Sequence, residues 1–270
     1  IGVGALVMPP LASWLISTFG WREAYLILGG LAAVVGGGLA LLIENDPARR
    51  GLGPDGDRPR ASGAEVAGAS VREAVRSRRF IGLYSACLIC SFGLFVPFVH
   101  LVPFALDHGV EPSFAVLLLG VIGVGSTAGR FALGEMADRL GRRQALLVMF
   151  LGMALAMLVW ALSSGLWMLA SFALAYGVFY GGFVAVLPAL VMDYFGGRNV
   201  SAIIGVLYTS VAFGTLIGPS AAGFAFDANH SYVAPILVGV AANLIAAVVL
   251  AATLKGSSAG RKQPAEFLGG

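Results

Sequence analysis

Gly134-Glu-Met-Ala-Asp138-Arg139-Leu-Gly141-Arg142-Arg143 lies between two long apolar runs, residues 114–133 and 145–162. Its last six residues carry four charges. Such a cluster cannot be immersed in hydrocarbon, where a single charge at the centre of a spanning helix costs about 2.5 kcal/mol or more. The stretch therefore predicts a tight turn at a membrane surface, with a spanning helix on either side.

Composition agrees with a chain solvated mainly by lipid. The sequence has 270 residues, a mean hydropathy of +0.88 and 58% hydrophobic residues. Only 11% are charged, against about 25% in soluble domains. The pI near 9.1 does not point to nucleic acid, because the basic residues crowd the connecting loops, as the positive-inside rule places them. No signal peptide is recognisable. The chain begins at Ile1 inside an apolar run, so we expect a fragment whose N-terminal part is missing. Cys87 and Cys90 form Cys-x-x-Cys within one apolar run. No polar, thiolate-stabilising neighbour is in sight, so they read as packing residues rather than a redox pair.

A bilayer core of about 30 Å takes roughly 20 helical residues. That ruler marks eight spans: 1–19, 23–43, 80–106, 112–137, 144–162, 167–192, 200–225 and 232–253. Helices are expected because open strands would leave backbone groups unpaired in lipid. The fold class is thus all-α, integral membrane. On one side lie Arg49, Arg50, Arg58, Arg60, Arg72, Arg76, Arg78, Arg79, Arg139, Arg142, Arg143, Arg198, Lys255, Arg261 and Lys262. The opposite loops hold Arg22 beside Glu23, Asp107, Glu111 and Asp227. This asymmetry predicts a cytoplasmic C-terminus and a cytoplasmic long loop, with the protein in a plasma or inner membrane.

Pro9 and Pro10 should kink the first span, and Gly218-Pro219 recurs in the seventh. Their ends, Phe19-Gly-Trp-Arg-Glu-Ala-Tyr25 and Phe226-Asp-Ala-Asn-His-Ser-Tyr232, read as short outer turns, a weak echo of the kind internally repeated transporters show. Residues 44–79, rich in Gly, Pro, Arg and Asp, form a flexible linker. The linker closes on Ser70-Val-Arg-Glu73, a capping box opening a short basic helix, for which contact with lipid headgroups is the favoured role. Gly125-x-x-x-Gly129 and Gly214-x-x-x-Gly218 read as close helix contacts. Asn199-Val-Ser and Asn229-His-Ser match a glycosylation triplet, which alone says nothing of use.

Arg130 is the sharpest signal. It stands eight residues before Asp138, about 12 Å along a helix axis and hence near mid-membrane. No acidic residue in another visible span lies at comparable depth, and Glu135 is poorly spaced to reach it. We read it as a cavity-facing group that binds an anionic substrate; a structural arginine satisfied by carbonyls or by missing helices is the competing reading. His100, within Val96-Pro-Phe-Val-His100, marks either a translocation path or a side chain reaching for the outer interface. Tyr180 and Tyr208 place hydroxyls in mid-span, where they can bond a carboxylate or pack between helices.

The spacing Gly-x-x-x-Asp-Arg-x-Gly-Arg-Arg at Gly134, Asp138, Arg139, Gly141, Arg142 and Arg143 resembles the signature loop of the major facilitator superfamily of transporters. That loop joins the second and third helices of each six-helix half. With four apolar segments after Asp138, this copy would join helices eight and nine. The resemblance implies helices five and six at 1–43, a linker at 44–79, a complete six-helix half at 80–254 and a tail at 255–270. It also implies that the charged loop is a cytoplasmic latch stabilising the outward-open state. Phe19–Tyr25, Val96–His100, Arg130 and Asp193-Tyr-Phe-Gly look like the branch of monocarboxylate transporters and oxalate/formate antiporters. There the eighth-helix arginine binds the substrate carboxylate, which implies that role for Arg130. Proton-coupled animal members carry an aspartate four residues earlier, where this chain has Ser126, so proton symport by that residue is not implied.

The expectation is a secondary transporter of small organic anions, in particular monocarboxylates, with a proton or counter-anion as the open choice of coupled species. It calls for membrane lipid as partner, for no cofactor, metal or nucleic acid, and for no enzymatic step. An exporter of drugs or other solutes with Arg130 structural, or a transporter-like sensor, are the alternatives.

Overall fold

The structure, a computed structural model, describes residues 2–42 and 67–253. Ten helices follow in order among these: α1 (Gly2–Phe19), α2 (Trp21–Ala40), α3 (Val71–Arg76), α4 (Arg78–Leu94), α5 (Val96–Asp107), α6 (Pro112–Leu140), α7 (Arg142–Ala161), α8 (Leu166–Phe195), α9 (Val200–Asn229) and α10 (Val233–Thr253). Helices α4 and α5 together make one 30-residue span, Arg78–Asp107, interrupted at Phe95. Seven spans are long and apolar enough to cross a membrane, and the apolar part of α1, Val7–Phe19, adds a shorter one. The central linker from 43 to 66 and the tail beyond 253 lie outside the described residues.

Span boundaries differ from expectation mostly by lengthening. Helix α6 continues through Asp138 and Arg139 to Leu140, and α7 starts at Arg142. The charged stretch is therefore helical except at Gly141, whose φ of 93° suits a residue without a Cβ. Its charges stand on the last turn of one helix and the first turn of the next. The turn between α1 and α2 likewise shrinks to Gly20. Both α1 and α9 remain single helical elements through Pro9, Pro10 and Pro219. The break falls instead between α4 and α5, where Pro97 follows within the first turn.

Lipid tails are as apolar as leucine, so close packing rather than water exclusion must join these helices. Small residues supply it. A Cβ on Gly125 would press on the Leu174 carbonyl and one on Gly129 on the Val178 carbonyl, while Gly177 and Gly181 meet the Ile122 and Ser126 carbonyls from the other side. Helices α6 and α8 are thus in backbone contact along two turns. Gly214 and Gly218 set α9 against Ser91 and Phe92 of α4, and Gly93 meets Gly239 of α10. Both glycine pairs read as close contacts from the sequence are close contacts here. Around them Phe150, Trp160, Phe172, Tyr176 and Phe183 fill the interior. Helix α1 packs along α6, and α2 touches α1 while leaving Leu26, Val34 and Leu39 exposed.

The described end of the linker is ordered against the body. Ala69 N–H donates to the Phe195 carbonyl at 2.7 Å and Gly197 N–H to the Ala67 carbonyl at 3.2 Å, forming an isolated antiparallel bridge between Gly68 and Gly196. The Asn199 amide donates 3.0 Å to the Ala69 carbonyl, so this asparagine of a glycosylation triplet is a structural clip. The predicted capping box is present: Ser70 N–H donates 2.8 Å to Glu73, whose own N–H meets the Ser70 hydroxyl at 3.3 Å. The Ser70 N–H, then its hydroxyl, hold the Glu73 carboxyl below the usual carboxylate range. Ala74 is buried against the body, so α3 docks on protein through this face.

Gly129→Ala is expected to lower the thermal midpoint in detergent, reflecting a loss of about 1–3 kcal/mol from overpacking. Gly205→Ala, where a Cβ meets open space, should not lower it. Equal midpoints for the two variants would contradict the backbone contact between α6 and α8.

Candidate functional site

Arg130 projects from α6 one turn after Ser126, and the adjacent Gly129, with Gly125 a turn earlier, presses on α8. Its Nε is buried without a hydrogen-bond partner. Among the described residues no carboxylate lies within ion-pair distance of the guanidinium. Glu135 is engaged by Arg139 instead. The Ser126 hydroxyl, in a residue only 4% exposed, is also without a partner. A spacing of four residues puts both groups on one helix face. A half-buried cation with its Nε unpaired, on the same helix face as an unpaired hydroxyl, is a costly arrangement, and an anion arriving there lowers the cost.

Two of the predicted tyrosines join this place. Tyr180 of α8 and Tyr208 of α9 are half-buried, and the guanidinium lies within electrostatic reach of both rings. Tyr180 is held by Phe98 at 5.2 Å and Phe95 at 6.2 Å, both edge-on, and is parallel to Tyr176 at 6.4 Å. Phe95 is the residue at the α4–α5 break, so the break presents its ring to the site. Tyr176 fixes that break: its fully buried hydroxyl donates 2.6 Å to the Leu94 carbonyl. Helices α6, α8 and α9 thus bring a planar five-donor guanidinium and two phenols into one region, and such donor types suit a carboxylate.

His100 stands apart. Its Nε2 lies 2.9 Å from the Pro219 carbonyl; a carbonyl only accepts, so Nε2 carries the proton. The ring also tilts against Tyr232 at 5.5 Å. It bridges α5 to α9 nearer the arginine-poor end, and its recorded partners do not include Arg130, Tyr180 or Tyr208.

The charged turn forms its own network. Arg142 binds Asp193 at the end of α8, donates 3.1 Å to the Ala189 carbonyl and lies 3.7 Å from Asp138. Arg143 donates 3.0 Å to the Ala251 carbonyl of α10. Arg79 stands over the Tyr194 ring at 5.4 Å. The stretch therefore ties α6, α7, α8 and α10 together at the arginine-rich end, with Gly134 facing open space. Asp193 was visible in the sequence as part of a resembling stretch, but its pairing with Arg142 spans 51 positions and had no local signal.

Two polar features escaped the sequence reading. Ser126 was noted as a departure, not as a group of the site. Asn243, fully buried in the apolar α10, donates 2.9 Å to the Gly239 carbonyl and accepts from the Cys90 thiol at 3.5 Å. A lone amide in so apolar a helix was the available signal. Both cysteines are buried and free, in keeping with a packing role.

Comparison with known proteins follows the same lines. The Major Facilitator Superfamily profile matches residues 1–134 and 81–269. The chain belongs to the major facilitator superfamily. Within curated members of this superfamily it is similar to monocarboxylate transporter 12-B of Danio rerio, 29% identical over 259 residues covering 86% of this chain and 54% of the relative. It is 31% identical over 250 residues to monocarboxylate transporter 11 of Mus musculus, covering 88% and 53%. For monocarboxylate transporter 12 of Rattus norvegicus the values are 27% over 274 residues, 92% and 56%. The chain thus spans about half the length of the curated relatives it matches.

Tyr176→Phe is expected to leave the Leu94 carbonyl short of a donor and to destabilise the fold by about 1–3 kcal/mol. Thermal unfolding in detergent reads the loss; an unchanged midpoint would remove this hydroxyl from the support of the break.

Proposed function

We propose that this chain is the larger part of a secondary transporter that moves small organic anions, chiefly monocarboxylates, by alternating access between two helical halves. The observation that carries the reading is the unpaired, half-buried Arg130 at mid-membrane, beside Ser126 and within reach of Tyr180 and Tyr208. Its guanidinium would take the substrate carboxylate in two parallel hydrogen bonds. The phenol hydroxyls would complete the shell, and the aromatic face built by Phe95, Phe98 and Tyr176 would meet an apolar substituent. His100 belongs to the path rather than to the carboxylate shell in this reading, since its Nε2 proton is engaged.

The names of the relatives support the same substrate class. Residues 1–43 would be the last two helices of the first half, 44–79 the connecting loop and 80–254 the second half. Charge asymmetry supports a cytoplasmic arginine-rich end and tail in the cell membrane. The network of Asp138, Arg142 and Asp193 would latch that end in one state of the cycle. A carboxylate meeting Ser126 rather than an aspartate favours exchange with a counter-anion over proton symport, because no carboxyl group stands beside Arg130 among the described residues to carry the proton.

Uptake of labelled lactate, pyruvate, formate and oxalate by the full-length protein in proteoliposomes tests this reading. Arg130→Ala is expected to reduce uptake at least about tenfold, and Arg130→Lys to recover part of it, since charge is kept and the fork is lost. Uptake unchanged in a folded Arg130→Ala protein would overturn the substrate role. Loading the vesicles with anion should accelerate uptake more than an imposed proton gradient does.

A further inference from the structure

The chain has three histidines, and the fold gathers all of them around Tyr232 at the arginine-poor end. His100 lies 5.5 Å from the Tyr232 ring. His108 stacks on Phe104 at 4.1 Å, and Phe104 lies 5.8 Å from Tyr232. His230 meets Phe226 edge-on, and Phe226 stacks on Tyr232 at 4.1 Å. Between α5, the end of α7 and the α9–α10 turn is a cavity of about 450 Å³ bordered by Asp107, His108, His230 and Tyr232.

The charge around this cavity is one-sided. Asp107 closes α5 and Asp227 stands on the last turn of α9. Burial, followed by these two carboxylates, pushes the Tyr232 phenol above its usual range. Neither carboxylate is in an ion pair among the described residues. The elements packed here contribute His100, Asp107 and His108 from α5, Asp227 and His230 from α9 and its turn, and Tyr232. Helices α7 and α10 contribute Ala161 and Val233, which carry no charge. Glu111, at the start of α6, accepts from the Ser113 hydroxyl at 2.7 Å and does not border the cavity.

The imidazoles differ in what they can do. His100 holds the Pro219 carbonyl. His108 donates Nδ1–H to the Phe104 carbonyl at 2.8 Å, which leaves Nε2 to accept a proton. His230 takes the C-cap of α9 with φ at 49°, the one left-handed non-glycine residue among the described residues. Histidine adopts this conformation more readily than most residues, and it sets the His230 ring at the rim of the cavity.

We propose that this cavity is a proton-binding site. Histidine is the side chain whose charge ordinarily changes between about pH 5 and 8. When His108 and His230 take up protons they pair with Asp107 and Asp227, and the mutual repulsion of the two carboxylates becomes attraction. The α5–α6 turn is then drawn onto the α9–α10 turn and the cavity narrows. The site is assembled entirely from α5, α7, α9 and α10, so it stands apart from Arg130 and from the transport reading. Its sidedness follows from the orientation proposed above.

Thiol accessibility in the full-length protein in detergent tests the proposal. Ser231→Cys lines the cavity, while Trp167→Cys replaces an 84% exposed residue at the same end and serves as the reference. The ratio of their labelling rates is expected to fall about threefold as the pH drops from about 7.5 to about 5.5. It should stay flat on His108→Gln/His230→Gln and equally on Asp107→Asn/Asp227→Asn. A ratio independent of pH in the parent, or an unaltered pH profile in either folded double variant, would overturn it.

Discussion

Backbone contact between α6 and α8 is the constraint on which the rest of the structure depends. Gly125, Gly129, Gly177 and Gly181 leave no room for a Cβ between the two helices, and the contact fixes both the depth and the rotation of α6. With Gly129 facing α8, the next residue, Arg130, is turned toward the space shared with Tyr180 and Tyr208. Ser126 follows on the same face. A charge at mid-membrane is tolerable only where protein, water or ligand meets it, and Tyr180 and Tyr208 place polar groups near the guanidinium.

Much of the polarity elsewhere in the interior is settled within the protein, Trp160 Nε1 and Arg143 Nε being the exceptions among the described residues. The Tyr176 hydroxyl meets the Leu94 carbonyl, and Asn243 is bonded to Gly239 and Cys90. Of the four unsatisfied buried groups among the described residues, the Nε of Arg130 and the hydroxyl of Ser126 are the two that share one face of α6. The arginine-rich end is knotted through Arg142, Asp193 and Arg143. The arginine-poor end carries carboxylates and histidines around an aromatic cluster. The two faces of the helical body thus have different chemistry, one cationic and tied, the other anionic and open.

Much of this was legible in the sequence for physical reasons. Spans are set by the thickness of hydrocarbon, so length and hydropathy locate them, and the charged stretch at Asp138–Arg143 marks a surface. Gly-x-x-x-Gly spacing located the helix contacts because close approach needs residues without side chains. Boundaries were less legible, since a helix can carry its charges past the hydrocarbon edge, as α6 does through Leu140. The role of His100 was not legible, because its partner, the Pro219 carbonyl, is 119 positions away and carries no side-chain signature. Asp193 and Arg142 met the same limit. Arg130 was singled out because a lone charge in an apolar run is conspicuous; Ser126 was noted only as a departure, because a serine in a helix carries little signal of its own.

The central claim is that Arg130 is the anion-binding group of this superfamily member. Calorimetric binding of a monocarboxylate to the purified full-length protein tests it most directly, with parent, Arg130→Gln and His100→Gln compared at one salt concentration. Binding that is lost with Arg130→Gln and kept with His100→Gln is the expected result. Equal affinity of the parent and a folded Arg130→Gln protein would contradict the account and leave Arg130 a structural residue.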